Sequence, residues 1–488
     1  MPRLSRRALV ALGLTVPLSM VFSRRAGAAL GPLVPDPKRI LDLPRGFSYR
    51  VLETVGADMT DGYRVPGSPD GMACFDPGDG TLVLMRNHEL AAGDRASPYK
   101  EGQSPPPEAV DPRSPGGVTR LVLDRQTLAR RSSNLVLVGS ARNCAGGTSP
   151  WGWLSCEETL EEGHGYVYLC DPKASSVRAG RKIASYGRFN HESASVDPKT
   201  LIAYLTEDRP TSCFYRFVPS KADEPFTGKL QALVVSGERT LDTGSALRVG
   251  VPVEIEWIDV ADPDPGADTV GEAARAAGAA IFRRGEGLWI HDGLVYFSAT
   301  AGGRAESGQI FRLAPNGDRG TLELVAEGGG EADLDYPDNI SVSPGGGLVV
   351  AEDGGGKNYL RGLDAEGKAF DFARCVYPSE LTGVCFAPSG RAIFVNLQQA
   401  GFTIVIEGPL DEIFGAPPAP SPQPVTPASA PGHAAADRRD LPPEAAAPAA
   451  PDGCGCDAAP PHDTGIAGVA GLAAITAAAL RKRSKGEG

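Results

Sequence analysis

Histidine is scarce in this chain. Six are spread over 488 residues, at 88, 164, 191, 291, 433 and 462, and no two share a His-x3-His spacing. That argues against a histidine-based zinc site. The nine cysteines include no Cys-x-x-Cys pair, which argues against a zinc ribbon. Any metal bound here must lean on carboxylates. Basic charge is also short: 48 Lys and Arg face 60 Asp and Glu, for a net charge of -12. A phosphate backbone wants a basic face, so no nucleic-acid role is expected. The acidic balance suits a protein that holds cations. Aromatics make up 7% of the chain, and sustained helical periodicity is nearly missing between residues 38 and 412. The glycines of GDGTLV and GGGLVV sit in hairpin turns and not at a strand-to-helix junction, which excludes nucleotide binding. With 41% hydrophobic and 22% charged residues, the chain is neither collagen-like, wholly disordered nor polytopic.

The two ends read as addresses. Residues 1–28 carry Ser5-Arg6-Arg7, an apolar run from Ala8 to Phe22, and Ala26-Gly27-Ala28 as a cleavage site. This looks like a twin-arginine signal, which exports folded, cofactor-loaded cargo. Residues 415–463 are rich in Pro and Ala, cannot build a core, and are expected to form a disordered linker that includes Cys454 and Cys456. Residues 464–483 then give an apolar run, Ile466 to Leu480, and a basic end, Arg481-Lys482-Arg483. That is a stop-transfer pattern and the expected transmembrane segment. The Cys, apolar helix and basic tail resemble myxobacterial C-terminal sorting tags. Export machinery and tag-processing machinery are the partners this implies. The working domain is expected in the periplasm or at the cell surface, tethered or released after processing.

Residues 38–412 contain a repeat. FDPGDGTLVLMRNHE (75–89), SVDPKTLIAYLTED (195–208), IHDGLVYFSAT (290–300), SVSPGGGLVVAED (341–353) and CFAPSGRAIFVNLQ (385–398) each join a turn, a strand and an abrupt polar end. PWGWLSCEE (150–158) is a sixth. The pattern predicts an all-β fold, a six-bladed β-propeller. A helix is expected only in the Ala-rich stretch near 272–280. The polar strand ends are Glu89, Glu157/Glu158, Glu207/Asp208, Ala299/Thr300, Glu352/Asp353 and Asn396/Gln398. Gathered at one rim, such carboxylates repel unless hard cations neutralise them.

The segment from Asn143 to Glu158 stands out, with Cys144 before two glycines, Trp151 and Trp153, and then Glu157-Glu158. It is followed by His191-Glu192-Ser193, Arg284-Gly285-Glu286-Gly287, Pro337-Asp338-Asn339-Ile340 and Ala351-Glu352-Asp353-Gly354. Together with RNHE (86–89), DGLVYF (292–297), GQIFRL (308–313), LTG (381–383) and FVNLQ (394–398), their order and spacing resemble the PhoX-type alkaline phosphatases, from about residue 46 to 409.

The resemblance implies a monomeric catalytic domain that hydrolyses phosphate monoesters. It also implies a cofactor of two oxide-bridged Fe3+ ions with Ca2+ beside them. Cys144 would be the thiolate iron ligand. Glu158, Glu192, Glu286 and Glu352 would be carboxylate ligands, with Glu89 and Asp353 toward the calcium side. Arg284 would grip the substrate phosphate, and Arg284 and Glu286 would form the catalytic pair. An oxide or hydroxide activated by the metals would attack phosphorus in line. The Trp-Gly-Trp stretch is one residue shorter than the family's Trp-Gly-Thr-Trp, which leaves open whether Glu157 or Glu158 points inward. His88 and His191 are expected to orient Glu89 and Glu192. The alternatives are a calcium-dependent lactonase or phytase, and a non-catalytic, surface-anchored propeller stabilised by calcium.

Overall fold

The computed structural model describes residues 30–364 and 366–418. The signal, most of the linker and the tail segment expected from the sequence lie outside the described residues. Among the described residues no helix is long and apolar enough to cross a membrane.

The described chain is all-β and propeller-like, made of five antiparallel sheets. Three have four strands each. A six-stranded sheet consists of a meander from Pro337–Val342 to Ala369–Cys375, extended by Leu41–Pro44 and Leu33–Val34. A nine-stranded sheet runs from His191–Val196 out to Gly228–Val235, crosses Val253–Asp259, and returns through Arg319–Glu327 to Gly285–His291. Its two halves fold onto one another. Phe214 of the first half stacks on Phe297 of the second at 4.2 Å between ring centroids, and Phe297 stacks on Phe311 at 5.0 Å. The Ala-rich stretch is helical, over Val270–Ala276.

Each repeated sequence unit is the same piece of structure, the hairpin between the first two strands of a meander. In the first, Asp76 accepts the Gly78 amide at 2.9 Å and Asp79 accepts the Thr81 amide at 3.0 Å. These side-chain turns stop Pro69–Phe75 and start Thr81–His88. Thr81–His88 is buried along its whole length, because sheets cover both of its faces. That is why it reads as a near-continuous apolar run. Leu84 and Met72 there pack against Phe394 and Val405 of the last sheet.

The first strands of the meanders lie side by side in a closed circuit. Pro69–Phe75 packs on Asn143–Ser149, which packs on His191–Val196, then Gly285–His291, Pro337–Val342 and Leu381–Phe386, which returns to Pro69–Phe75. Ser48–Thr54, early in the chain, completes the last sheet by pairing with Phe402–Glu407. Glu53 on that strand is buried between Arg86, at 2.8 Å, and Arg130, at 2.7 Å. Two charges answer one, so the burial cost of the carboxylate is met, and its pKa stays below the usual range.

Candidate metal centre and active site

All the first strands are bulged at the same place. The ladder register breaks between Pro69 and Met72, Asn143 and Gly146, His191 and Ala194, Gly285 and Leu288, Pro337 and Ile340, and Thr382 and Cys385. A bulge leaves a residue unpaired and re-aims its side chain. The first residues inside the breaks are Asp70, Cys144, Glu192, Glu286, Asp338 and Gly383. Five are acids or a thiol, one from each of five strands. The sixth is glycine for a steric reason: its φ is +60°, and a Cβ there would lie 2.2 Å from the Asp70 carbonyl oxygen. The bulge at Cys144 is pinned from outside the ring. Asn87 donates to the carbonyls of Cys144 at 2.9 Å and Ala145 at 2.5 Å, and Trp153 Nε1 donates to Asn87 at 2.8 Å.

The bulge residues meet on the axis. Oxygens of Glu192, Glu286 and Asp338 all lie within 4.8 Å of one another. A second row comes from the residue that follows each second strand: Glu89, Glu158, Asp208 and Asp353. Gln398, at the same place in the last sheet, donates to Asp70 at 2.8 Å and to Glu89 at 3.0 Å. Glu158 shares a hydrogen bond with Asp208, and Glu380 with Asp353. Burial, then the neighbouring carboxylates, drives several of the acids here, though not all, toward their protonated forms. Glu158 and Asp338 are pushed up to about 8 and Glu380 to about 11. Asp70, Glu192 and Glu286 are raised well above their usual range by the same causes. Burial, with Glu192 and Glu158 nearby, also raises the Cys144 thiol, which approaches the His191 carbonyl at 3.2 Å.

Two cations stand at this rim: Arg142, which donates to Glu89 at 3.3 Å, and Arg284, the more enclosed of the two. Arg284 donates from Nε and Nη2 to the two oxygens of Asp208, both at 2.9 Å, and from Nη2 to Glu286 at 2.6 Å. Burial opposes its charge, but Glu286 and Asp208 outweigh that and hold it protonated. The bidentate pair fixes the guanidinium in the rim. Its backbone is left-handed, with φ +58°.

The structure thus brings Cys144, Glu192, Glu286 and Arg284 together, with Glu158, Glu89 and Asp353 in the second row. Of the Glu157–Glu158 pair, Glu158 faces the acid cluster. Glu157 is turned into its sheet, where it accepts the amides of Ala141 at 3.0 Å and Gly165 at 2.9 Å and pairs with His164 at 2.7 Å. Glu352 departs from the expected ligand set in the same way. It accepts the amides of Asp335 at 3.0 Å and Tyr359 at 3.1 Å, and Arg361 at 2.8 Å, so its lone pairs are taken by its own sheet. The histidines differ from expectation too. His88 bonds Gly67 and Thr119, and His191 bonds Gly187, so the partners found for them are not Glu89 or Glu192. All seven cysteines among the described residues are free.

Sequence reasoning did not assign Asp70, Asp338 or Glu380 to the site, and placed Asp208 there only as one of the polar strand ends. The first two were findable. Pro69-Asp70-Gly71 and Pro337-Asp338-Asn339 open their strands as His191-Glu192-Ser193 opens its own, with an acid followed by a small or polar residue. Aligning the strands before each turn, and not only after it, exposes that column.

The family model described as alkaline phosphatase PhoX matches residues 28–401. Among solved structures, PhoX of Pseudomonas fluorescens in complex with vanadate, a transition-state analogue, superposes with a TM-score of 0.62 at 18% identity, covering 79% of this chain and 98% of that one. A gluconolactonase from Xanthomonas campestris aligns at a TM-score of 0.41 and 13% identity, covering 78% and 98%. A search of curated proteins finds no match to the chain. The family match spans most of the sequence and every strand that contributes to the acid cluster: the chain belongs to the PhoX alkaline phosphatase family, and is a phosphomonoesterase.

Proposed function

We propose that the acid ring is a multinuclear metal centre and that phosphate monoesters are hydrolysed where it meets Arg284. The single observation behind this is the placement of a fixed guanidinium against a cluster of carboxylates that cannot all ionise unaided. The donor set fits the metals that the family resemblance implies. Asp70, Glu192, Glu286, Asp338, Glu158 and the second row offer hard oxygens suited to calcium and ferric iron. Cys144, within the same ring, offers a sulfur that suits iron and not calcium. Cations there would supply Lewis acidity toward the phosphate oxygens and a nucleophilic oxygen at alkaline pH.

The chain's own residues do the rest. Arg284 presents N–H groups to a non-bridging phosphate oxygen and neutralises charge that grows in the transition state. Asp208 keeps that guanidinium from swinging away. Glu286 touches both Arg284 and the ring, so it couples substrate grip to the metal positions. The bulges hold each donor on a strand, not a loop, which keeps the ring preorganised.

Two further readings accompany this one. The nine-stranded sheet is best counted as two blades bridged by Val253–Asp259, because its halves pack face to face; that count gives six blades. Residues 1–28 and 464–483 are read as an export signal and a membrane tail, so the enzyme would work on organic phosphate outside the cytoplasm. The lactonase and non-catalytic alternatives gain no support from Arg284 or Cys144, which a lactone does not need; a phytase would use Arg284 equally, but gives no role to Cys144 as an iron ligand.

The test uses full-length protein exported by its own signal. Hydrolysis of p-nitrophenyl phosphate at alkaline pH should require calcium, fall on chelation and vanish in Glu286→Gln. Iron and calcium should appear on elemental analysis and iron should be lost in Cys144→Ser. Turnover by metal-free protein, or metal content unmoved by both substitutions, would refute the reading.

A further inference from the structure

We propose that the cleft beside Arg284 is a subsite for the alcohol half of the ester, built for a neutral, polyhydroxylated leaving group such as a sugar or polyol. This rests on the phosphatase reading above. The cleft has a volume of about 460 Å3 and is bounded by Arg283, Arg284, Asp242, Ser245, Glu306 and Tyr336. That is ample for a small organic group. It shares Arg284 with the acid ring. A phosphate seated against that guanidinium therefore has its ester oxygen within reach of the cleft.

The walls are held in unusual backbone conformations. Tyr336 has φ +50° and Arg284 φ +58°, and each stands immediately before a first strand. A left-handed aromatic residue is uncommon, and such strain collects at ligand clamps. Tyr336 is fixed on both sides: its amide donates to Ser307 at 2.9 Å, and its carbonyl accepts the Asp353 amide at 3.0 Å. Arg284 is fixed likewise, its amide donating to Arg209 at 2.9 Å and its carbonyl accepting Thr300 at 2.8 Å.

Charge decides which alcohol fits. Arg283 is paired with Asp242 and lies near Glu306. One cation faces two carboxylates, and the charge of Arg284 is already answered by Asp208 and Glu286. A leaving group with its own phosphate or carboxylate is repelled. Hydroxyls are welcome: Ser245 and Tyr336 both donate and accept, Glu306 accepts, and the Tyr336 ring covers a C–H face.

The experiment measures kcat/KM of the metal-loaded, full-length enzyme on methyl phosphate, glucose 6-phosphate and 3-phosphoglycerate. Wild type should prefer the sugar ester to the other two. Tyr336→Asn keeps a residue that tolerates the left-handed backbone but removes the ring. It should lower the sugar-to-methyl ratio about tenfold, mainly through KM. Glu306→Lys, at an exposed position, should raise the phosphoglycerate-to-sugar ratio by about the same factor. If methyl phosphate is turned over and neither ratio moves, the subsite is refuted and the phosphatase reading stands. If wild type turns over no ester at all, both fall.

Discussion

Two sets of acids sit within a few residues of each other and meet opposite partners. Glu157, Glu207 and Glu352 end second strands and face donors. Glu207 accepts the Cys213 amide at 3.0 Å and the Tyr215 hydroxyl at 2.9 Å, as Glu157 and Glu352 accept amides in their own sheets. The residues just after them, Glu158, Asp208 and Asp353, face the ring, where Glu192, Glu286 and Asp338 crowd together. The same type of side chain is a brace in one row and, on the proposed reading, a ligand donor in the other. Burial separates them only in part: Glu157, Glu207 and Glu352 are fully buried and Glu158, Asp208 and Asp353 half-buried, yet Glu192 and Glu286 in the ring are as buried as the braces. What separates them is whether the lone pairs meet N–H groups or other carboxylates.

The contrast can be broken most forcefully at Glu286. Glu286→Gln should cut kcat by about a thousandfold, as loss of a preorganised electrostatic group does, yet raise the thermal midpoint of the metal-free protein by relieving repulsion. A fall in both would put Glu286 with the braces. Glu352→Gln should do the reverse. Weakening its buried pair with Arg361 should cost about 3 kcal/mol in urea unfolding while the folded enzyme still turns over. Loss of turnover without loss of stability would overturn the assignment.

Titration runs in the same direction in both rows, since burial also raises Glu207 and Glu352 to about 7; what distinguishes the ring is that neighbouring carboxylates add to burial there, and that part should respond to metal. Ring carboxylates carry folded-state pKa values raised above their unfolded ones, to about 8 for Glu158 and Asp338. The folded state then binds more protons than the unfolded state in that window. In the metal-free protein this contribution should be fully present below about pH 4 and be lost as pH rises through about 8. Metal-saturated protein should show a flatter profile, and equal slopes with and without metal would count against a metal centre. The smallest effect is expected from Trp153→Phe, which deletes the hydrogen bond to Asn87. It should cost about 1 kcal/mol and weaken iron binding slightly, read by a competing chelator.

The fold was legible because the hairpins repeat a turn of Asp, Ser, Pro or Gly followed by an apolar strand. Asp76 and Asp197 each cap a loop that only a β-hairpin needs. Half of the site was legible for the same reason: Glu158, Asp353 and Glu89 follow strands that the repeat makes visible. Glu352 misled because sequence adjacency to Asp353 hides opposite side-chain directions in an extended chain. Asp70 and Asp338 stayed hidden because a bulge reverses which residue faces the axis, and single-sequence alternation carries no mark of a bulge. The roles of His88 and His191 depend on carbonyls brought in by the fold, which no local pattern announces.

The pairing of Ser48–Thr54 with Phe402–Glu407 sets an order of events. Asp70 and Asp338 belong to strands that flank Leu381–Phe386, the start of the last sheet. They come to a common axis only after that sheet forms, and its final strand is supplied from the beginning of the chain. The clasp of Glu53 with Arg86 and Arg130 locks this step. A half-made protein therefore offers scattered acids of weak appetite for cations, whereas a finished one offers all of them at once. On the proposed metal-centre reading, ion uptake would certify completed folding: the enzyme would acquire its chemistry as its circle closes.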